Sequence, residues 1–112
     1  MTVLGAVFAN GQEAETISLV QVPGEFKQTE LKLEAGTAYV FEVANSGVDH
    51  EVGFVIAPKG KTGQANHIQS AYLKNTIEDG QTATSNKVVL EKGEYVYFCP
   101  LNPTPQYSIT VE

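Results

Sequence analysis

Two side chains in this sequence have the chemistry of metal ligands, and each stands where a loop meets a strand-like run. His50 ends a loop that begins at Asn45 and directly precedes an apolar run. Cys99, the only cysteine of the chain, ends an aromatic run just before a loop with three prolines. A thiolate sulfur and an imidazole nitrogen together suit copper or zinc. The pair therefore predicts half of a soft metal site, at a pole that the proline loop would hold rigid.

Each of these residues also has an ordinary structural interpretation. A lone cysteine is more often a small buried side chain than a ligand, and only the pairing of Cys99 with His50 favours a metal. Asp49 and Glu51 flank His50 and could contact a metal or its imidazole, but strand alternation predicts that both face solvent. His67 lies in a polar stretch and is expected to be a solvated surface residue.

Composition excludes several classes of function. The 112 residues fit a single domain, residues 1–112. Seven lysines and no arginine stand against thirteen carboxylates, for a net charge of −6, so nucleic acid is not an expected partner, because phosphate binding needs clustered cations. No Ser-His-Asp set, carboxylate pair or phosphate loop is evident, and the protein is not expected to be an enzyme. The single cysteine excludes an internal disulfide.

The longest apolar run is close to the N-terminus, from Val3 to Ala9. It is far shorter than the roughly 20 residues of a membrane helix, and no basic segment precedes it as in a signal peptide. A turn signal at Asn10-Gly11 favours a first strand from Val3 to Phe8. We therefore expect no membrane span, and we expect the chain to be either cytosolic or a mature or trimmed form without its targeting segment.

Short runs of β-branched and aromatic residues, separated by glycine and proline, predict an all-β sandwich or barrel of about eight strands. After the N-terminal run, the predicted strands are Ile17–Val22, Leu31–Glu34, Tyr39–Ala44, Val52–Ala57, Val88–Leu90, Tyr95–Phe98 and Tyr107–Val111. The second and third of these are expected to pair around a turn at Ala35-Gly36, each with one buried and one wet face.

The polar stretch between Lys59 and Asn86 is the long connection of the predicted fold. Within it Ala65, Ile68 and Tyr72 follow a spacing of i, i+3 and i+7, which predicts a short surface helix near 64–73.

The order of these features resembles the cupredoxin family, which includes plastocyanin, amicyanin and pseudoazurin. The resemblance covers about Leu31 to Glu112, and the matching segments are Leu33–Val43, Asn45–His50, Lys92–Tyr95, Tyr97–Pro100 and Ser108–Val111. It implies a Greek-key β-sandwich that carries electrons through one copper ion. It further implies a transient redox protein partner, a monomeric state and a periplasmic or extracellular location.

The resemblance also implies roles for single residues. His50 matches the family's first histidine ligand, Cys99 its thiolate ligand, and Asn45 an asparagine that holds the ligand loop. A blue-copper site needs a second histidine and a weak axial ligand, yet the loop after the cysteine has neither histidine nor methionine. Asn102 stands at the spacing of that histidine in short-loop members. Gln106 stands late in the loop, where its oxygen could bind weakly, as glutamine does in stellacyanin-like members.

The predicted metal ligands are therefore His50, Cys99 and Gln106, in a copper site incomplete by one histidine. The leading hypothesis is a small soluble electron-transfer protein of cupredoxin type with an atypical or impaired mononuclear copper site. Weak copper binding, binding of Cu(I) or zinc, and recruitment of water as an outside ligand are left open. The alternative is a metal-free cupredoxin-like binding or structural module that has lost its copper site. A glutamine that only hydrogen-bonds the loop backbone is an equally good interpretation of Gln106.

Overall fold

A computed structural model describes residues 14–112 of the chain. This part folds into two β-sheets around one hydrophobic core, and its nine strands confirm the all-β sandwich. The predicted first strand, Val3 to Phe8, lies outside the described residues. Within residues 14–112, no helix has the length and apolar character needed to cross a membrane.

The first sheet has the strand order β2-β1-β4-β6, and β7 also pairs with β4. Its strands are β1 (Glu15–Val22), β2 (Glu25–Phe26), β4 (Ala38–Asn45), β6 (Thr82–Thr84) and β7 (Val88–Val89). The second sheet has the order β3-β9-β8-β5. Its strands are β3 (Glu30–Leu33), β5 (Val55–Pro58), β8 (Gly93–Phe98) and β9 (Tyr107–Val111).

The turn at Gly36 connects the two sheets instead of closing a hairpin. Strand β3 pairs in parallel with β9, and β4 pairs in parallel with β1. Gly36 has a φ of 80°, in the left-handed region that glycine adopts without steric cost. The predicted pairing around this turn is therefore wrong. Alternation indicates that one face of each strand is buried, but it does not identify the neighbouring strand.

Two short 3₁₀ turns, Gln64–Asn66 and Gln69–Ala71, replace the predicted helix near 64–73. His67 and Ile68 between them have extended backbone, with ψ of 140° and 98°. Ala65 is exposed, so the spacing that predicted the helix does not describe one buried face. A segment this short cannot recover the cost of nucleating a helix without such a face.

An aromatic cluster fills the core beneath the end of β8. Phe26 meets Tyr97 edge to face at 5.2 Å between ring centroids, and meets Phe54 at 6.0 Å. Side chains along a strand alternate between its two faces. The side of β8 that turns Tyr97 into the core therefore also turns Cys99 inward, two residues further on, and both are buried.

Candidate metal site beyond the end of β8

Asn45, the last residue of β4, holds the loop that carries His50. Its carboxamide oxygen accepts a hydrogen bond from the backbone amide of Val48 at 2.9 Å. Its side-chain nitrogen lies 3.1 Å from the carbonyl oxygen of Val48 and 3.2 Å from that of His50. Because Asn45 is only 2% exposed, these bonds are shielded from water and costly to lose. The contacts agree with the role that the resemblance implied for this residue.

His50 lies at the surface of this loop, with its ring exposed. Its Nδ1 lies 2.9 Å from the carbonyl oxygen of Glu51. Because a carbonyl oxygen only accepts, the neutral ring carries its proton on Nδ1 and keeps the lone pair of Nε2 available to a metal. His50 lines an open cleft of about 580 Å³ with four carboxylates. These are Asp49, Glu51, Glu78 and Asp79.

Cys99 follows β8 directly, and its side chain is 3% exposed. The sulfur accepts hydrogen bonds from three backbone amides, those of Gly53 at 3.3 Å, Leu101 at 3.4 Å and Asn102 at 3.1 Å. Three N–H groups thus point at one sulfur. The bond to Gly53 connects the sulfur with the loop of His50, three residues earlier in the chain.

The two carboxamides of the proline loop lie in opposite environments. Asn102 is 5% exposed, its oxygen accepts from the amide of Gly24 at 3.0 Å, and its nitrogen donates to the carbonyl oxygen of Val22 at 3.0 Å. The Asn102 side chain is thus directed toward strand β1 and the turn after it. Gln106 is exposed, and no hydrogen bond joins its side chain to another described residue, so its carboxamide is available to a ligand or to water.

His67 is half-buried, in contrast to the expectation of a solvated histidine. Its Nε2 lies 3.0 Å from the carbonyl oxygen of Thr62, and its Nδ1 lies 2.7 Å from the hydroxyl of Tyr72. The ring also meets Phe98 edge to face at 6.1 Å between centroids. Both nitrogens therefore have protein partners, so His67 serves the packing of the long connection.

Several solved structures share this architecture. Auracyanin A, described as a blue copper protein from the green thermophilic photosynthetic bacterium Chloroflexus aurantiacus, is 16% identical over 89% of this chain and 100% of its own, with a TM-score of 0.72. Auracyanin B is 19% identical over 93% of each chain, with a TM-score of 0.71. Amicyanin from Paracoccus versutus is 17% identical over 89% of this chain and 84% of its own, with a TM-score of 0.58.

The chain has the cupredoxin fold. No protein-family model matches the sequence. A search of curated proteins finds no match. At these identities the likeness concerns the architecture, and the chemistry of the pole has to be judged from its own residues.

The two candidate donors, Cys99 and His50, fit copper in type and fall short in number. The sulfur of Cys99 and the imidazole of His50 are soft and intermediate donors of the kind that copper prefers. Within residues 14–112, however, no three His, Cys, Asp or Glu side chains are grouped so that they could hold a metal ion. The trigonal plane of two imidazoles and one thiolate that defines a blue-copper site is therefore not available from the described residues.

Sequence reasoning missed one polar residue of this region, Gln21 in β1. It is completely buried, and its side-chain nitrogen donates to the carbonyl oxygen of Gly53 at 2.7 Å. The available signal was its alternation with Leu19, which puts a glutamine on the inward face of a strand. A buried carboxamide needs partners, but the sequence does not reveal that those partners are the loops around Cys99.

Proposed function

We propose that the protein is a small electron carrier of cupredoxin type, and that one copper ion bound by Cys99 and His50 is its redox centre. The observation that carries the proposal is the environment of the Cys99 sulfur, which is buried and accepts hydrogen bonds from three backbone amides, one of them that of Gly53, three residues after His50. Copper, when bound, would supply the cycle between Cu(I) and Cu(II).

The chain itself would make electron transfer efficient by holding the copper ligands in fixed positions. Asn45 fixes the backbone on both sides of Val48 and at His50. Thr104 accepts from the backbone amide of Cys99 at 3.3 Å through its hydroxyl, and the prolines of the loop restrict its backbone. The amides on the sulfur and the apolar surroundings of Cys99 are the features that tune the potential of a copper–thiolate unit.

Gln106 is proposed as a weak third ligand, because its carboxamide is exposed and lies in the same loop as Cys99. It does not replace an imidazole in the trigonal plane, since an amide oxygen is a poor donor for copper. With this assignment the copper site is atypical. Water is the other candidate for the position of the third ligand.

A metal-free binding or structural module is the second candidate, and one observation favours it. Asn102 occupies the spacing of the second histidine, and its side chain is fully engaged with β1 and the turn at Gly24. A pole closed in this way is stable without a metal. Under either function the resemblance suggests a periplasmic or extracellular monomer. For the electron carrier it also suggests a transient redox partner.

The two functions are separated by adding one equivalent of Cu(II) to the purified protein and recording its visible spectrum. We expect an intense thiolate-to-copper band that is lost in Cys99→Ser and in His50→Ala. His67→Ala is the matched control, because it removes the other histidine of the chain and should leave the band in place. A colourless protein with no tight copper binding by calorimetry would favour the metal-free module.

A further inference from the structure

Two of the amides that donate to the Cys99 sulfur are connected through a single buried side chain, that of Gln21. The Gln21 nitrogen donates to the carbonyl oxygen of Gly53 at 2.7 Å, and the backbone nitrogen of Gly53 donates to the sulfur at 3.3 Å. The Gln21 oxygen accepts from the side chain of Asn102 at 3.1 Å, and the backbone nitrogen of Asn102 donates to the sulfur at 3.1 Å. The four residues form a closed ring of hydrogen bonds.

The orientation of both carboxamides in this ring is fixed by their backbone partners. The carbonyl oxygens of Gly53 and Val22 can only accept, and the amide of Gly24 can only donate. The groups that face these carbonyls must therefore be the side-chain nitrogens of Gln21 and Asn102, and the group that faces Gly24 must be the oxygen of Asn102. Exchanging nitrogen and oxygen in either side chain would break these contacts.

Burial makes this ring rigid. Gln21 is 0% exposed and Asn102 is 5% exposed, so water does not compete for their hydrogen bonds, and each unmade bond would cost the full desolvation of its partner. Gln21 belongs to β1 of the first sheet, whereas Cys99 follows β8 of the second. The ring thus connects the sulfur to the opposite sheet of the sandwich.

We propose that Gln21 is a positioning residue for the Cys99 sulfur, acting through the backbone amides of Gly53 and Asn102. It sets where these two N–H groups point relative to the sulfur. This inference deepens the proposed function, since it concerns the same thiolate, but the hydrogen-bond geometry on which it depends does not require the metal.

The test is carried out first on the metal-free protein, by ¹⁵N–¹H NMR of Gln21→Met, which keeps the length of the side chain and removes both polar atoms. We expect the amide protons of Gly53 and Asn102 to shift together. We also expect them to exchange with solvent about fivefold faster or more, the factor that corresponds to one lost hydrogen bond. The matched control is Gln28→Met. Gln28 also bonds to β1, through the amide of Val20 at 2.8 Å, but no hydrogen bond among residues 14–112 joins it to the four residues of the ring.

Unchanged shifts at Gly53 and Asn102 in Gln21→Met, or equal changes in the Gln28→Met control, would overturn the positioning role. If Gln21→Met does not fold, the unaltered protein still tests the ring. We expect the side-chain NH₂ groups of Gln21 and Asn102 to exchange with solvent much more slowly than that of exposed Gln106. Exchange at the same rate would contradict the ring.

A second readout uses the protein after addition of Cu(II). The thiolate-to-copper band should change its energy in Gln21→Met and keep it in Gln28→Met, whereas a merely structural role for Gln21 would lower stability and leave the band unmoved. If the unaltered protein gives no such band, the proposed function fails, and the NMR comparison still tests the positioning role by itself.

Discussion

The backbone amide of Asn102 donates to the sulfur of Cys99 at 3.1 Å, while the side chain of the same residue reaches strand β1. One residue therefore supports the sulfur with its main chain and closes the pole with its carboxamide. In the short-loop cupredoxins that the sequence resembles, this spacing belongs to the second histidine ligand. Here the position serves the hydrogen-bond network around the thiol instead.

Replacing Asn102 by alanine should destabilise the protein strongly. The Asn102→Ala variant leaves the side-chain oxygen of the fully buried Gln21 without its partner, and a buried polar group without a partner costs about 2 kcal/mol. Urea unfolding measures the change in the free energy of unfolding. Gln106→Ala, in the same loop but exposed, is the control and should stay within about 0.5 kcal/mol of the unaltered protein. Similar values for the two variants would contradict the assignment of Asn102.

The all-β class and the positions of most strands could be predicted, because alternating burial leaves a direct pattern in the sequence. The support of the His50 loop by Asn45 agrees with the role that the resemblance implied, whereas the burial of Cys99 matches the ordinary structural interpretation of a lone cysteine. Strand neighbours could not be predicted, since the residue types at the Gly36 turn are compatible both with a hairpin and with a connection between two sheets. The role of Gln21 was inaccessible for a related reason, because its partners are distant in the chain and approach it only after both sheets have formed.

Introducing a histidine at two positions of the proline loop tests which of them can supply the missing ligand. Gln106→His places an imidazole at an exposed position, so it should leave stability within about 0.5 kcal/mol and should create or strengthen the thiolate-to-copper band. Asn102→His has to displace a buried, hydrogen-bonded carboxamide, and we expect it to cost about 2 kcal/mol. Copper titration and urea unfolding of both variants give the comparison. An unchanged spectrum in Gln106→His would show that position 106 does not face the metal.

His67 should occupy a single tautomer when it is neutral, with the proton on Nε2. The carbonyl oxygen of Thr62 accepts at 3.0 Å from Nε2, which leaves Nδ1 to accept from the hydroxyl of Tyr72 at 2.7 Å. Long-range ¹⁵N–¹H NMR distinguishes the two nitrogens directly. Tyr72→Phe removes the donor to Nδ1 and should destabilise the protein by about 1 kcal/mol, with the Nε2 proton retained. A proton on Nδ1 in the unaltered protein would contradict this network.

Tyr97 should make the protein less stable at alkaline pH. Its burial, and secondarily the neighbouring Tyr107, raise the pKa of the Tyr97 hydroxyl to about 12, and the hydroxyl donates to the backbone carbonyl of Gln28. The unfolded chain loses this proton near pH 10, so between pH 10 and about 12 the folded state binds more protons than the unfolded state. The free energy of unfolding must then fall as the pH rises, by at most about 3 kcal/mol from this group. Urea unfolding at a series of pH values should show a shallower decline of the free energy of unfolding with pH in Tyr97→Phe. The control Tyr95→Phe, which alters a tyrosine of the same strand, should show the same decline as the unaltered protein. Equal slopes for the unaltered protein and Tyr97→Phe would remove Tyr97 as its source.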